Sequence, residues 1–117
     1  MNNSFKDKED IMRNFARDYQ KSKIIELKGV DLLVSNVVSD SVNNYMNTKK
    51  EYDYYYSLQT KIEYILDNLE FECSSFLRRE FFCCGYRNNW WQNYYSRSTY
   101  YRIKSKAMDA FLGLIYA

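Results

Sequence analysis

Between Glu80 and Asp109 the chain carries Arg87, Arg97, Arg102, Lys104 and Lys106 and no acidic residue. Short hydroxyl side chains stand among these cations in the run Ser96-Arg97-Ser98-Thr99-Tyr100-Tyr101-Arg102-Ile103-Lys104-Ser105-Lys106. Guanidinium and ammonium groups supply charge to phosphates, while hydroxyls and the N–H groups of a helix start supply hydrogen bonds. Arginine also matches the edge of guanine in a major groove. The chemistry this pattern offers is recognition of a polyanion. Arg97, Ser98, Thr99, Tyr101 and Arg102 are the candidate reading residues, and Lys104, Lys106 and Arg87 the candidate phosphate ligands. Tyr101 lies among the cations, where its hydroxyl suits a phosphate and its ring a thymine methyl or an unstacked base.

Other chemistries find little purchase. The chain has no histidine, so the commonest general base is missing. Three glycines form neither a phosphate-cradling loop nor a nucleophile elbow. Cys73, Cys83 and Cys84 are an odd set without CxxC spacing, which argues against a zinc site. The expectation is a non-enzyme with no cofactor and no metal, its cysteines buried and reduced. A redox-sensing role for Cys83 and Cys84, next to Arg78, Arg79 and Arg87, is the lesser alternative.

The cationic run needs a helix to display it. Ser96 suits an N-cap, and the helix runs from Arg97 to about Tyr116. Tyr100, Ile103, Ala107, Ala110 or Phe111, and Leu114 then face the core, with small Ala107 allowing a neighbouring helix close. Arg97, Ser98, Tyr101, Arg102, Ser105 and Lys106 face outward, with Lys104 at the flank. Upstream, "SSFLRREFF" reads as a short helix capped by Ser74 or Ser75, and "CCGYRNN" as a loop. Asn88 or Asn89 caps a helix of at most two turns from Trp90. Trp90, Tyr94, Tyr100 and Phe111 are assigned to the core.

The N-terminal part reads as three helices. Asn2, Asn3 or Ser4 caps the first, whose apolar stripe is Phe5, Ile11 or Met12, Phe15 and Tyr19, leaving Lys8, Arg13, Arg17 and Lys21 to water. Gly29 is the expected break. Val30, Leu33, Val34, Val37, Val38, Ser41, Val42 and Tyr45 fit helical spacing better than strand alternation. After a break at "NTKK", a third helix spans Glu51 to Leu69 with the stripe Tyr55, Leu58, Ile62, Ile65 and Leu69. That stripe packs inside the monomer or forms a homodimer seam. Tyr52 to Tyr56 is expected to pack helix on helix.

With no proline and few glycines, the fold class is all-α: a helical bundle with a C-terminal helix-turn-helix, in one compact domain. Residues 1–72 hold 10 Lys/Arg against 13 Asp/Glu, whereas residues 73–117 hold 7 against 2, so a bundle or dimerisation region precedes a basic one. "MNNSFKDKED" lacks a signal core and no apolar run approaches about 18 residues, so the expected location is cytoplasmic, away from membranes.

Ser96 to Leu112, "SRSTYYRIKSKAMDAFL", resembles the recognition helix of bacterial sigma-factor region 4, of the housekeeping class. Its wording is closer still to ArpU-type phage late transcription regulators and to small sigma-like proteins of mollicutes. The resemblance places the family's buried positions on Tyr100, Ile103, Ala107, Met108 and Phe111, and its DNA-facing positions on Arg97, Ser98, Tyr101 and Arg102. It implies a transcription regulator that binds double-stranded DNA near the nucleoid, with RNA polymerase as a further partner. Tyr94 stands where the family has Gly or Asp in its turn, and Trp90 and Trp91 where it has small residues. The alternative is a helical protein-interaction module that docks a partner such as RNA polymerase without touching DNA.

Overall fold

Tyr100, Ile103, Ala107 and Phe111 recur at intervals of three or four residues, and the helix that carries them buries all four. A computed structural model of the chain describes the backbone of residues 4–39, 42–83 and 87–117, and the side chains of these except residues 27–48. The elements in order are α1 (Phe5–Ser39), α2 (Val42–Asn68), α3 (Phe71–Leu77), a π turn (Arg78–Phe82), a 3-10 turn (Trp90–Asn93) and α4 (Arg97–Ile115). The fold is all-α, and no strand occurs among the described residues.

α1 starts where the Asp7 N–H donates to Ser4 Oγ at 3.1 Å, an N-cap of the expected kind. It does not break at Gly29; the backbone stays helical to Ser39. α2 likewise passes through the "NTKK" segment without a break. Polar residues alone do not end a helix when the backbone hydrogen bonds continue and no proline removes a donor. The valine-rich stripe from Val30 to Tyr45 lies outside the described side chains, as do Cys84 and Gly85.

α1 and α2 make the longest pairing of the fold. The chain therefore measures 55 × 33 × 24 Å with a radius of gyration of 17.2 Å, against roughly 13 Å for a compact chain of this length. Part of the α1–α2 seam is polar. Tyr19 Oη donates to Glu63 at 2.9 Å, Lys23 Nζ to the same carboxylate at 2.7 Å, and Ser22 Oγ to Gln59 Oε1 at 3.0 Å. Ser22 and Gln59 are both buried, so these bonds fix which residues of the two helices lie side by side.

The apolar core gathers Met12 of α1, Ile62 and Leu66 of α2, Phe76 and Leu77 of α3, and Ile103, Ala107, Met108 and Phe111 of α4. Ile62 and Ile65 of the predicted α2 stripe are buried, and Tyr55, Leu58 and Leu69 are partly so. Ala107, with no exposed surface, lies where bulk would separate α4 from its neighbours. Leu114 was assigned inward but is exposed, and Leu112 and Ile115 are buried instead. That shift of a residue or two turns the end of α4 slightly from the predicted face.

The middle of the chain departs furthest from expectation. α3 begins at Phe71, so Ser74 and Ser75 lie inside it rather than capping it; Ser74 is buried and accepts a hydrogen bond from Arg78 Nε at 3.3 Å. The helix then widens into the π turn, closed by the Cys83 N–H on Arg78 O at 2.6 Å. The segment expected to form a helix from Trp90 makes one 3-10 turn, and Asn89 at its start gives no side-chain cap. α4 is thus preceded by a 3-10 turn and a short link that ends in the extended Ser96. A helix-turn-helix has a second α-helix joined by three or four residues at this point.

Candidate functional site

Ser96 sets where the cationic helix begins. The Thr99 N–H donates to Ser96 Oγ at 3.2 Å, and the same hydroxyl donates to Thr99 Oγ1 at 2.9 Å. The cap fixes the first turn and occupies Thr99, which is only partly exposed. Arg97, Ser98, Tyr101 and Arg102 project from the next positions and are exposed. The Arg97 guanidinium lies 5.9 Å from the centre of the Tyr101 ring, a cation–π contact that gives both side chains a defined place. Among the described residues neither Arg97, Arg102 nor Arg87 has a carboxylate partner. These three are exposed, whereas Arg79, also without a carboxylate partner among the described residues, is half-buried over the Trp90 and Tyr94 rings.

Lys104 and Lys106 are not. Lys104 was assigned to phosphate, but it is 3% exposed and faces inward. Its Nζ lies 3.0 Å from Glu80 Oε2, donates to Glu9 Oε2, and is 3.2 Å from Tyr100 Oη. The rings of Phe5, Phe81 and Tyr100 surround it at 5.4 to 5.7 Å from their centres. A desolvated ammonium so enclosed is a structural pin with no face open to a phosphate. Lys106 is exposed, but it pairs with Glu70 at 3.2 Å, and that hydrogen bond raises its pKa. The apparent excess of cations along this stretch is partly cancelled by acids from α1, the π turn and the α2–α3 link.

Glu80 is the residue around which this end of the molecule is organised. Besides Lys104, it accepts from Trp90 Nε1 at 2.9 Å and from Tyr100 Oη. One carboxylate on the π turn thereby ties the 3-10 turn to α4. Burial, reinforced by the bond to Glu80, pushes the Tyr100 hydroxyl well above its ordinary range, so it stays a donor at any physiological pH. Trp91 stacks on Tyr100 with ring centres 4.3 Å apart. Burial alone would raise the Glu9 carboxyl, but the Lys104 bond and the charges of Lys104, Arg13 and Lys6 outweigh it and hold the pKa below its ordinary value.

α1 closes the arrangement. Phe5 meets the Tyr101 ring edge-on at 5.8 Å, and Lys8, expected to face water, reaches Asp109 at 2.6 Å. A cleft of about 300 Å³ remains between the elements, lined by Glu9, Arg13, Glu80, Asn88, Trp91, Tyr100, Tyr101 and Lys104. Its charges balance in pairs, so it offers no excess charge to a ligand.

Sequence reasoning missed Glu80, Glu9 and Phe5. A signal for Lys104 was present: with Met108, Phe111 and Ile115 it follows the 4-3-4 spacing of the buried stripe. Two other assignments also change. Tyr94, given to the core, is exposed under the Arg79 guanidinium. Cys83, expected to be buried, is exposed, whereas Cys73 is buried and its thiol is pushed up by burial. No group of residues able to hold a metal occurs among the described residues, and no described helix is long and apolar enough to cross a membrane.

Comparison with protein-family models, with curated proteins and with solved structures gives no match.

Proposed function

We propose that the chain is a DNA-binding transcription regulator of the sigma region 4-like kind, acting in the cytoplasm, which lays the N-terminal half of α4 into the major groove. One observation carries the reading. Arg97 and Arg102 flank Tyr101 on an exposed edge and have no carboxylate partner among the described residues. A desolvating contact with DNA then costs no existing ion pair. Arg97, Ser98, Tyr101 and Arg102 contact bases or the adjoining backbone, and Arg87 contacts phosphate. α3 with its π turn takes the place of the first helix of a helix-turn-helix.

The test is a gel shift on sheared genomic DNA at low salt, with the wild-type chain and the Arg97→Ala/Arg102→Ala double variant. Retardation of wild type and its loss in the variant are the expected results. No retardation of either protein ends the reading.

A second reading, a helical module that docks a protein such as RNA polymerase, draws on a different observation. Tyr54, Tyr56 and Tyr64 of α2 and Phe71 of α3 are exposed, Phe71 at 85%. Under that reading the arginine variants leave binding intact, and a pull-down with wild type and double variant recovers the same polymerase subunit.

A further inference from the structure

The exposed edge of α4 is not held by α4 alone. Phe5, the first residue of α1, lies against two α4 residues one turn apart: its ring is 5.8 Å from the Tyr101 ring, edge-on, and 5.7 Å from Lys104 Nζ. Tyr101 is in turn met edge-on by Tyr100 at 5.0 Å and carries the Arg97 guanidinium over its face. Lys104 is immobilised by Glu9 and Glu80. A continuous series of contacts therefore runs from the buried ammonium through Phe5 and Tyr101 to an arginine at the surface.

We propose that Phe5 is a positioning residue for the polyanion-binding edge: it fixes the Tyr101 ring, and through it the Arg97 guanidinium, in the orientation used for binding. The inference rests on the DNA-binding reading and adds to it the requirement for α1. Its physical basis is preorganisation. Arginine carries large rotamer freedom, and a side chain already stacked loses less of it on contact. Phe5 is 37% exposed and outside the fully buried core, so it fills no cavity whose loss would unfold the protein. Positioning and stability can therefore be separated.

The experiment measures binding of a fluorescein-labelled mixed-sequence DNA duplex by anisotropy, for wild type, Phe5→Ala, Phe5→Tyr, Tyr101→Leu, the Phe5→Ala/Tyr101→Leu pair and Arg102→Ala. Phe5→Ala is expected to weaken binding about three- to tenfold, the scale of one aromatic contact, and Phe5→Tyr to restore it. The salt dependence stays as in wild type, because no cation is removed. In the Tyr101→Leu background Phe5→Ala has no further effect, a coupling that general loosening of the fold does not produce. Should Phe5→Ala bind within twofold of wild type while Arg102→Ala is impaired, the positioning role is wrong and the DNA-binding reading stands. An Arg102→Ala protein that binds as wild type overturns both.

Discussion

Lys104 Nζ lies 3.0 Å from Glu80 on the π turn and also reaches Glu9 on α1, so a single ammonium joins three elements. This relationship reverses the role that charge pattern alone gives Lys104. It contributes to the position of α4 rather than to its outward surface.

Removing that ammonium strands two carboxylates, one of them nearly buried. Lys104→Ala is expected to lower unfolding stability by about 3–5 kcal/mol, the range for breaking a buried pair from one side. Urea denaturation followed by circular dichroism measures it. Lys106→Ala, at an exposed pair, leaves the midpoint unchanged. Equal midpoints for wild type and Lys104→Ala contradict the pinning role.

Acid should loosen both this junction, through Glu9, and the α1–α2 seam, through Glu63. The Glu9 and Glu63 carboxyls are held below their ordinary value of 4.5: burial opposes this, but the bond and charge of Lys104 for Glu9, and the bonds of Lys23 and Tyr19 with the Lys23 charge for Glu63, prevail. The unfolded chain then takes up these protons first. The stabilisation is complete above about pH 4.5 and is lost as pH falls through the lower folded values. Denaturation midpoints between pH 7 and pH 3 should fall most steeply below that point, and less steeply in a Glu9→Gln/Glu63→Gln variant. An unchanged slope in the variant removes these two groups as the source.

Three arginines without carboxylate partners set the expected salt response. If Arg87, Arg97 and Arg102 each neutralise one phosphate, log affinity falls against log salt with a slope of roughly −3. Each single alanine variant brings the slope closer to zero by about 0.9. Lys106→Ala leaves it unchanged, since Glu70 already balances that charge. A wild-type slope near zero is incompatible with phosphate contact.

Two substitutions, one in α4 and one at its N-cap, probe the helix itself. Gly113 is exposed, and a Cβ added there meets nothing within 4 Å, so Gly113→Ala should stabilise by about 0.5–1 kcal/mol. Ser96→Ala removes the cap on the Thr99 N–H and should cost about 1 kcal/mol. Thermal denaturation distinguishes both from wild type, and a destabilised Gly113→Ala protein contradicts the open geometry.

Much of α4 was legible because its information is local. Ser96 before a periodic run marks the start, and Tyr100, Ile103, Ala107 and Phe111 mark the inner face at helical spacing. The role of Lys104 was not legible from charge, because its partners stand 95 and 24 positions away in the chain, and sign balance along one helix does not register acids brought in by others. The π turn was equally hidden. Its Glu80 meets Trp90, Tyr100 and Lys104 only in the folded chain, and no residue of "RREFF" announces a widened helix by its own preference. Gly29 misled for the opposite reason: a glycine lowers helix propensity by about 1 kcal/mol, which a long helical pairing absorbs.

The two tryptophans sit at this junction, Trp90 bonded to the Glu80 carboxylate and Trp91 stacked on Tyr100. The protein consequently carries its own optical probe. Any event that lifts α4 from the π turn, whether acid, substitution or a bound ligand, alters the polarity and quenching around both indoles and registers as a shift in native emission without a label.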